Sequence, residues 1–121
     1  MLMAQRRTGQ HFVGSIERAT ERNAAFRRVV TTGRHLQLVS MSLGPGEEIG
    51  LEAHPRTDQF IRIESGRAIV MLEGQRFDLR AGDAVLIPAG TQHNVIATGR
   101  RPLKLYTLYA PPEHAPGTVE R

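Results

Sequence analysis

The sequence predicts an all-β fold, a single barrel of the jelly-roll type. Short runs with strand-like composition recur along the chain, and turn residues separate them about every ten residues. No segment has a sustained helical period. The chain has 121 residues, 40% of them hydrophobic, which suffices for one core but not for two. We therefore expect one domain over residues 1–121.

Two flanking segments are expected outside the barrel core. The N-terminal arm, residues 1–23, contains a short edge strand over 11–14 and a turn of helix over 15–22 that Ser15 would N-cap. The C-terminal tail, residues 111–121, is rich in proline and is expected to be extended or mobile.

The core, residues 24–110, is divided into strands by glycine, proline and aspartate turns. Glu73-Gly74 supplies a hairpin turn, because glycine accepts a positive φ angle. The core strands are predicted at residues 26–32, 35–43, 48–54, 59–64, 67–73, 75–79, 84–87, 93–98 and 103–110.

The composition limits the possible partners. The net charge is +4 and Lys104 is the only lysine, so the basic surface consists of arginine. These arginines are dispersed, aromatic residues are 5% of the chain, and no nucleic-acid-binding motif is present, so a nucleic-acid partner is not expected. Without cysteine, disulfides and thiolate chemistry are excluded. The first residues contain no long apolar run, and we expect a cytoplasmic protein that does not bind membranes.

Four residues form a candidate metal site: Glu52, His54, Gln59 and His93. Glu52 and His54 are two residues apart, so on a strand their side chains project from the same face. A turn at Pro55 and Asp58 follows them and leads to Gln59 at the start of the next strand, and a turn at Pro88 and Gly90 delivers His93 onto a further strand. Two imidazoles, a carboxylate and an amide oxygen suit one divalent ion, and Zn, Mn, Fe and Ni are all compatible.

Each ligand has a structural alternative. A lone histidine is more often a hydrogen-bonded core or surface residue than a ligand. Glu52 inside a barrel could instead pair with an inward arginine. Gln59 could merely hydrogen-bond across the barrel, which would leave a three-ligand site or no metal at all. Tyr106 on the last strand is a candidate to line the pocket.

The first of these stretches resembles one of the two motifs of the cupin superfamily. That motif has a glycine, five residues, His-x-His, a glutamate four or five residues later, and a further glycine. Gly46, His54 and Gly66 fall on the pattern, while Glu52 replaces the first histidine and Gln59 replaces the glutamate.

The second cupin motif has its counterpart near His93. Gly82, Pro88, Gly90 and His93 match in type and spacing, and Ala97 stands where asparagine is expected. Both motifs in order, with a resemblance that covers residues 33–110, identify the chain as similar to small single-domain bacterial cupins.

The resemblance implies a jelly-roll barrel, a metal site at the motif positions and a homodimer. Apolar strands over residues 26–30 and 36–43 also favour a dimer, because they offer an edge and a face that need covering. The set of two histidines, one glutamate and one glutamine is similar to the zinc site of type I phosphomannose isomerases.

The donor set also indicates how such a metal would act. With one carboxylate and the neutral amide of Gln59, a divalent ion keeps a net charge of +1, which favours Lewis-acid chemistry on a small anionic or sugar-like molecule. An isomerase-like activity is therefore preferred to a dioxygenase. A ligand- or metal-binding module without turnover is the alternative from a different class.

Overall fold

The predicted all-β barrel is confirmed. The computed structural model describes residues 6–8 and 11–121, which are mostly strand. One helix, α1 (Ile16–Arg22), precedes the barrel. The strands are β1 (Arg6–Thr8), β2 (His11–Val13), β3 (Arg27–Thr32), β4 (Gln37–Leu43), β5 (Asp58–Ser65), β6 (Arg67–Leu72), β7 (Gln75–Arg80), β8 (Ala84–Ile87), β9 (His93–Thr98), β10 (Leu103–Ala110) and β11 (Val119–Glu120).

Two antiparallel sheets enclose the core. The larger has the order β11-β3-β4-β10-β5-β8, and the smaller has the order β7-β6-β9. Along β10, residues alternate between buried and partly exposed, because successive side chains point to opposite faces. The inward faces bury a continuous aliphatic core that includes Val39, Met41, Ile61, Val70 and Leu105.

The predicted strand over residues 48–54 is an irregular segment instead. Residues 46–54, the 46–54 segment, run beside β9 with isolated bridges from Glu48 to Ile96 and from Glu52 to His93. Gly50, with a φ of 107°, interrupts the regular ladder between the two bridges.

Asn94 secures this irregular segment to β9. Its Nδ2 donates to Glu48 Oε1 at 2.8 Å, and its Oδ1 accepts from the Gly50 backbone N–H at 2.8 Å. The segment therefore extends the smaller sheet without being a regular strand.

A close backbone approach explains one glycine. Gly66, between β5 and β6, has a φ of 87°, and a Cβ there would lie 2.5 Å from Pro102 O. A side chain at this position would force apart the β5–β6 turn and the loop before β10.

The helix begins as predicted. Ser15 Oγ accepts a hydrogen bond from the Arg18 backbone N–H at 3.1 Å, which satisfies one of the free amides of the first turn. Within the described residues, no helix is long and apolar enough to span a membrane.

The C-terminal tail folds back onto the barrel. Gln37 is fully buried, and its Oε1 accepts from the backbone N–H groups of Glu113 and His114 at 3.1 and 3.0 Å. Its Nε2 donates to His114 O at 2.7 Å. Further on, β11 pairs with β3. A segment expected to be extended or mobile is thus held at two places.

The expected homodimer remains a prediction, and the strand order changes the reasoning behind it. β4 lies inside the sheet, between β3 and β10, and β11 covers part of the outer edge of β3. We expect sedimentation velocity to give a dimer at micromolar concentration. A stable monomer at that concentration would contradict the prediction.

Candidate metal centre

Backbone pairing places Glu52 opposite His93. The Glu52 N–H donates to His93 O and the His93 N–H donates to Glu52 O, both at 2.9 Å. Directly opposed residues of an antiparallel pair project their side chains from the same face. The carboxylate and the imidazole therefore enter the same space.

A backbone hydrogen bond to the turn that precedes β9 positions His54 at the site. Its carbonyl accepts from the Gly90 N–H at 2.8 Å, so the two motif regions are joined by a backbone hydrogen bond. Gly90 has a φ of 86°, as the turn requires. The His54 and His93 ring centroids are 5.3 Å apart.

The side chains of Glu52, His54 and His93 lie together, and we call this group of possible metal ligands the metal cluster. Their candidate ligand atoms all lie within 4.8 Å of one another. Glu52 Oε1 is 3.2 Å from His54 Nε2 and 3.6 Å from His93 Nε2. Two atoms bound to one ion at about 2.1 Å are roughly 3.0 to 3.4 Å apart in octahedral or tetrahedral geometry. The cluster is thus close to the spacing of a divalent metal site.

Three buried atoms without a hydrogen bond also fit a metal. His54 Nε2, His93 Nε2 and Gln59 Oε1 make no hydrogen bond of good geometry with the described residues, although Glu52 Oε1 lies close to both nitrogens. Buried polar atoms usually have one, because leaving them unpaired costs free energy. A cation bound by these atoms would remove that cost.

The other nitrogen of each histidine ring is occupied. His93 Nδ1 lies 2.9 Å from Thr91 O, and His54 Nδ1 lies 3.3 Å from Glu113 Oε2. When Nδ1 carries the proton and donates to these oxygens, the Nε2 lone pair is free for a metal, and ligand histidines are commonly oriented in this way.

Gln59 lies beside the cluster on β5. Its Nε2 donates to Thr107 Oγ1 at 3.1 Å and to Tyr109 Oη at 3.3 Å. The Tyr109 ring packs edge-on against His54, with centroids 5.7 Å apart. The hydrogen bonds to β10 thus hold the amide nitrogen, and the amide oxygen Oε1 is left available to coordinate a metal. That Gln59 is a metal ligand remains a prediction.

The charges of the cluster support one another. Burial would raise the pKa of Glu52, but pairing with His93 and the positive charges of His54, His93 and Arg27 outweigh it, and the pKa is lowered. Burial would lower the pKa of His93, but Glu52 and the hydrogen bond to Thr91 raise it. Glu52 therefore pairs with the two histidines rather than with an arginine, the alternative considered from the sequence.

Three residues around the cluster were not predicted from the sequence. Glu113 and His114 belong to the tail, and Tyr109 lies at the site in place of the expected Tyr106. Residues 103, 105, 107 and 109 alternate inward on β10, so Tyr106 faces away from them. The parity of β10 could have revealed Tyr109, but nothing local in the sequence indicates the path of the tail.

Comparison with known proteins bears on this geometry. The profile of the cupin domain family matches residues 39–109, which contain all four predicted ligands. The chain belongs to the cupin domain family. A crystal structure of a Bacillus halodurans protein is 52% identical, with a TM-score of 0.88, and the match covers 90% of this chain and 87% of that one.

Two Bacillus subtilis proteins are also similar. The protein YrkC is 53% identical over 114 residues, which are 89% of this cupin chain but 61% of YrkC, so the chain spans less than two thirds of that relative. Quercetin 2,3-dioxygenase is 34% identical over 79 residues, 64% of this chain and 23% of the enzyme.

Substitution of Gln59 tests whether its amide oxygen is a ligand. Gln59→Glu adds a negative charge whose attraction to a divalent ion is several kcal/mol at an effective dielectric near 20, before about half or more is lost to desolvation. We expect metal affinity to rise by about one to two orders of magnitude in Gln59→Glu and to fall in Gln59→Ala. Competition with a chelator measures both.

Gln75→Glu makes the same substitution at an exposed position on β7, two strands away from His93 and outside the cluster, and serves as the control. Unchanged affinity in both Gln59 variants would make Gln59 a structural hydrogen-bonding residue only.

The pKa directions also predict opposite pH trends with and without metal. Because the pKa of Glu52 is lowered, its stabilisation of the metal-free protein is present above about pH 4.3 and is lost as the pH falls through its folded pKa. Because the pKa of His93 is raised, its stabilisation is present below about pH 6.5 and is lost as the pH rises through its folded pKa.

Metal binding requires neutral His93, so affinity for zinc should increase over the same rise in pH, with proton release at the lower end. Denaturation with zinc or with a chelator at several pH values measures both trends. A zinc affinity that does not change with pH would contradict this expectation.

Proposed function

We propose that the protein is a small metal-dependent cupin that binds and acts on a small anionic or sugar-like molecule. Glu52, His54, His93 and Gln59 would hold one divalent ion, which when bound supplies a Lewis acid. The observation that carries the proposal is the cluster of one carboxylate and two imidazoles beside a neutral amide. Such a donor set leaves positive charge for an anionic ligand group to neutralise.

Arg27 adds positive charge at the same place. It is the first residue of β3, its side chain is only 12% exposed, and its charge contributes to the lowered pKa values of Glu52 and His114. Nη1 pairs with Glu120 of the tail at 2.8 Å, while Nε is buried without a hydrogen-bond partner among the described residues. In this proposal Arg27 attracts and orients the carboxylate or phosphate of the ligand.

His114 is the residue best suited to move a proton. Burial and the charge of Arg27 lower its pKa, so the imidazole is neutral near pH 7, and its buried Nε2 has no described partner. Its ring packs edge-on against Tyr109, with centroids 5.1 Å apart, and Gln37 holds its backbone. A neutral imidazole can accept a proton and return it, which is what an isomerase-like reaction needs.

Two other functions differ in measurable ways. The similarity to quercetin 2,3-dioxygenase favours an oxygen-consuming reaction as the second candidate. A binding module without turnover would use the same metal cluster and Arg27 but would need no proton carrier. These functions separate by oxygen consumption and by hydrogen exchange in the bound molecule.

We test a panel of aldoses, ketoses and sugar acids in D₂O. We expect the metal-loaded protein to exchange a carbon-bound hydrogen of one of these molecules for deuterium, and the exchange should not require oxygen. Proton NMR of the panel measures the exchange. In Arg27→Gln, the KM for an anionic member should rise by about tenfold or more, because a charge-assisted contact is lost.

Arg28→Gln is the matched control, since Arg28 is the next residue on β3 and its Nε donates to Asn23 instead. Turnover that requires oxygen would support the dioxygenase, and binding without exchange or oxygen uptake would support the binding module. An absence of metal in protein purified without added metal, together with no zinc binding, would overturn the proposal.

A further inference from the structure

A cavity lies at the end of the barrel opposite the candidate metal centre. It has a volume of about 370 Å³, and its lining includes Arg67, Arg80, Arg100, Arg101, Ser65 and Thr98. We call it the arginine cavity. His93 and Thr98 are the first and last residues of β9, so the arginine cavity is about 17 Å from the metal cluster at the usual rise per residue. It is a separate site.

The four arginines of the cavity form no ion pair with the side chains that the structure describes. Within residues 11–121, the arginines that form ion pairs are Arg27, Arg62 and Arg76, and none of them lines this cavity. Its lining contains no acidic side chain from the part of the chain that the structure describes. Asp83, on the neighbouring turn, uses Oδ2 to accept from the Arg80 backbone N–H. The protein itself therefore does not neutralise the four guanidinium groups.

The sheet places two of these charges directly against each other. Arg67 on β6 is the cross-strand partner of Arg80 on β7 and of Thr98 on β9. Like charges at directly opposed positions destabilise a sheet. Arg100 and Arg101 add two more in the loop after Gly99. An anion bound among them would remove this repulsion.

The chemistry of the lining selects the kind of anion. Guanidinium groups bind phosphate oxygens in a two-pronged manner, and the hydroxyl groups of Ser65 and Thr98 can donate as well. A concave site of this volume is of small-ligand size. No aromatic side chain lines it for bases to stack upon, which disfavours single-stranded nucleic acid.

We propose that the arginine cavity binds a compact phosphate polyanion, either inorganic pyrophosphate or a phosphorylated sugar. This site is independent of the metal cluster, and its failure would leave the proposed function unaffected. Binding there would link the stability of the whole barrel to the concentration of the anion, because a ligand that binds only the folded state stabilises it.

Titration with pyrophosphate at constant ionic strength tests the proposal, by calorimetry and by amide NMR of the protein without added metal, because pyrophosphate itself binds zinc. We expect saturable binding, with the largest shifts at the amides of Gly66, Ala81 and Gly99 rather than at Gly90 beside the metal cluster. Arg67→Gln and Arg100→Gln should each weaken binding by about tenfold or more. Arg34→Gln, an exposed arginine in the loop after β3, should change it by less than about twofold.

A second readout separates binding from folding. Without anion, Arg67→Gln should have a melting temperature equal to or above that of the native protein, because a repulsion is relieved. With pyrophosphate, the native protein should gain more than the variant. A parallel titration with fructose 1,6-bisphosphate distinguishes the two sources, since the tighter ligand identifies which one the site prefers.

Several results would overturn the proposal. One is no saturable binding up to about 10 mM. Others are an equal loss of pyrophosphate affinity in Arg34→Gln and an equal response to sulfate, which would indicate charge screening only. Amide chemical-shift changes centred on Gly90 would also overturn it. Tighter binding of a single-stranded RNA, lost in the same two variants, would replace the small anion with nucleic acid.

Discussion

The paired backbone hydrogen bonds between Glu52 and His93 hold two distant parts of the chain together, and the metal cluster depends on them. Backbone bonds to Val95 and Ala97 hold the first half of the 46–54 segment on β9, and the Glu52–His93 pair then sets the carboxylate opposite the imidazole. The segment is irregular, so it cannot rely on a continuous ladder. Asn94 supports the pairing by fixing Glu48 and the Gly50 N–H next to it. A few local hydrogen bonds thus replace a strand.

The tail completes the site from the other side. Gln37, buried on β4, holds the backbone of Glu113 and His114, and this brings Glu113 Oε2 to within 3.3 Å of His54 Nδ1. A carboxylate hydrogen-bonded to Nδ1 fixes the orientation of the His54 ring and makes Nε2 a more basic metal ligand. Loss of Gln37 would therefore act on His54 through the tail, although the two side chains belong to different parts of the barrel.

The sequence predicted the barrel and the clustering of Glu52, His54 and His93 because their signals are local. Glycine and proline turns mark the strands, and the spacing from Gly46 to His54 and from Gly82 to His93 reflects turn geometry. Strand character at residues 48–54 was wrong, since Gly50 adopts a positive φ that a regular strand does not allow. Glu113 could not be predicted, because its contact with His54 depends on where Gln37 captures the tail. Local pattern contains no information about a contact of that kind.

Charge is distributed along the barrel in two different ways, and this constrains what each end can bind. At the metal end, Glu120 pairs with Arg27, while Glu52 and Glu113 lie against the histidines and can balance the charge of an incoming cation. At the arginine cavity, none of the described acidic side chains lines the site, and the positive charge is exposed to solvent. Under the two proposals, the carboxylates of the first end attract a cation, and the arginines of the second end attract an anion. One small fold can thus keep a cation site and an anion site apart, because the length of β9 separates them by more than the screening distance of about 8 Å at physiological salt.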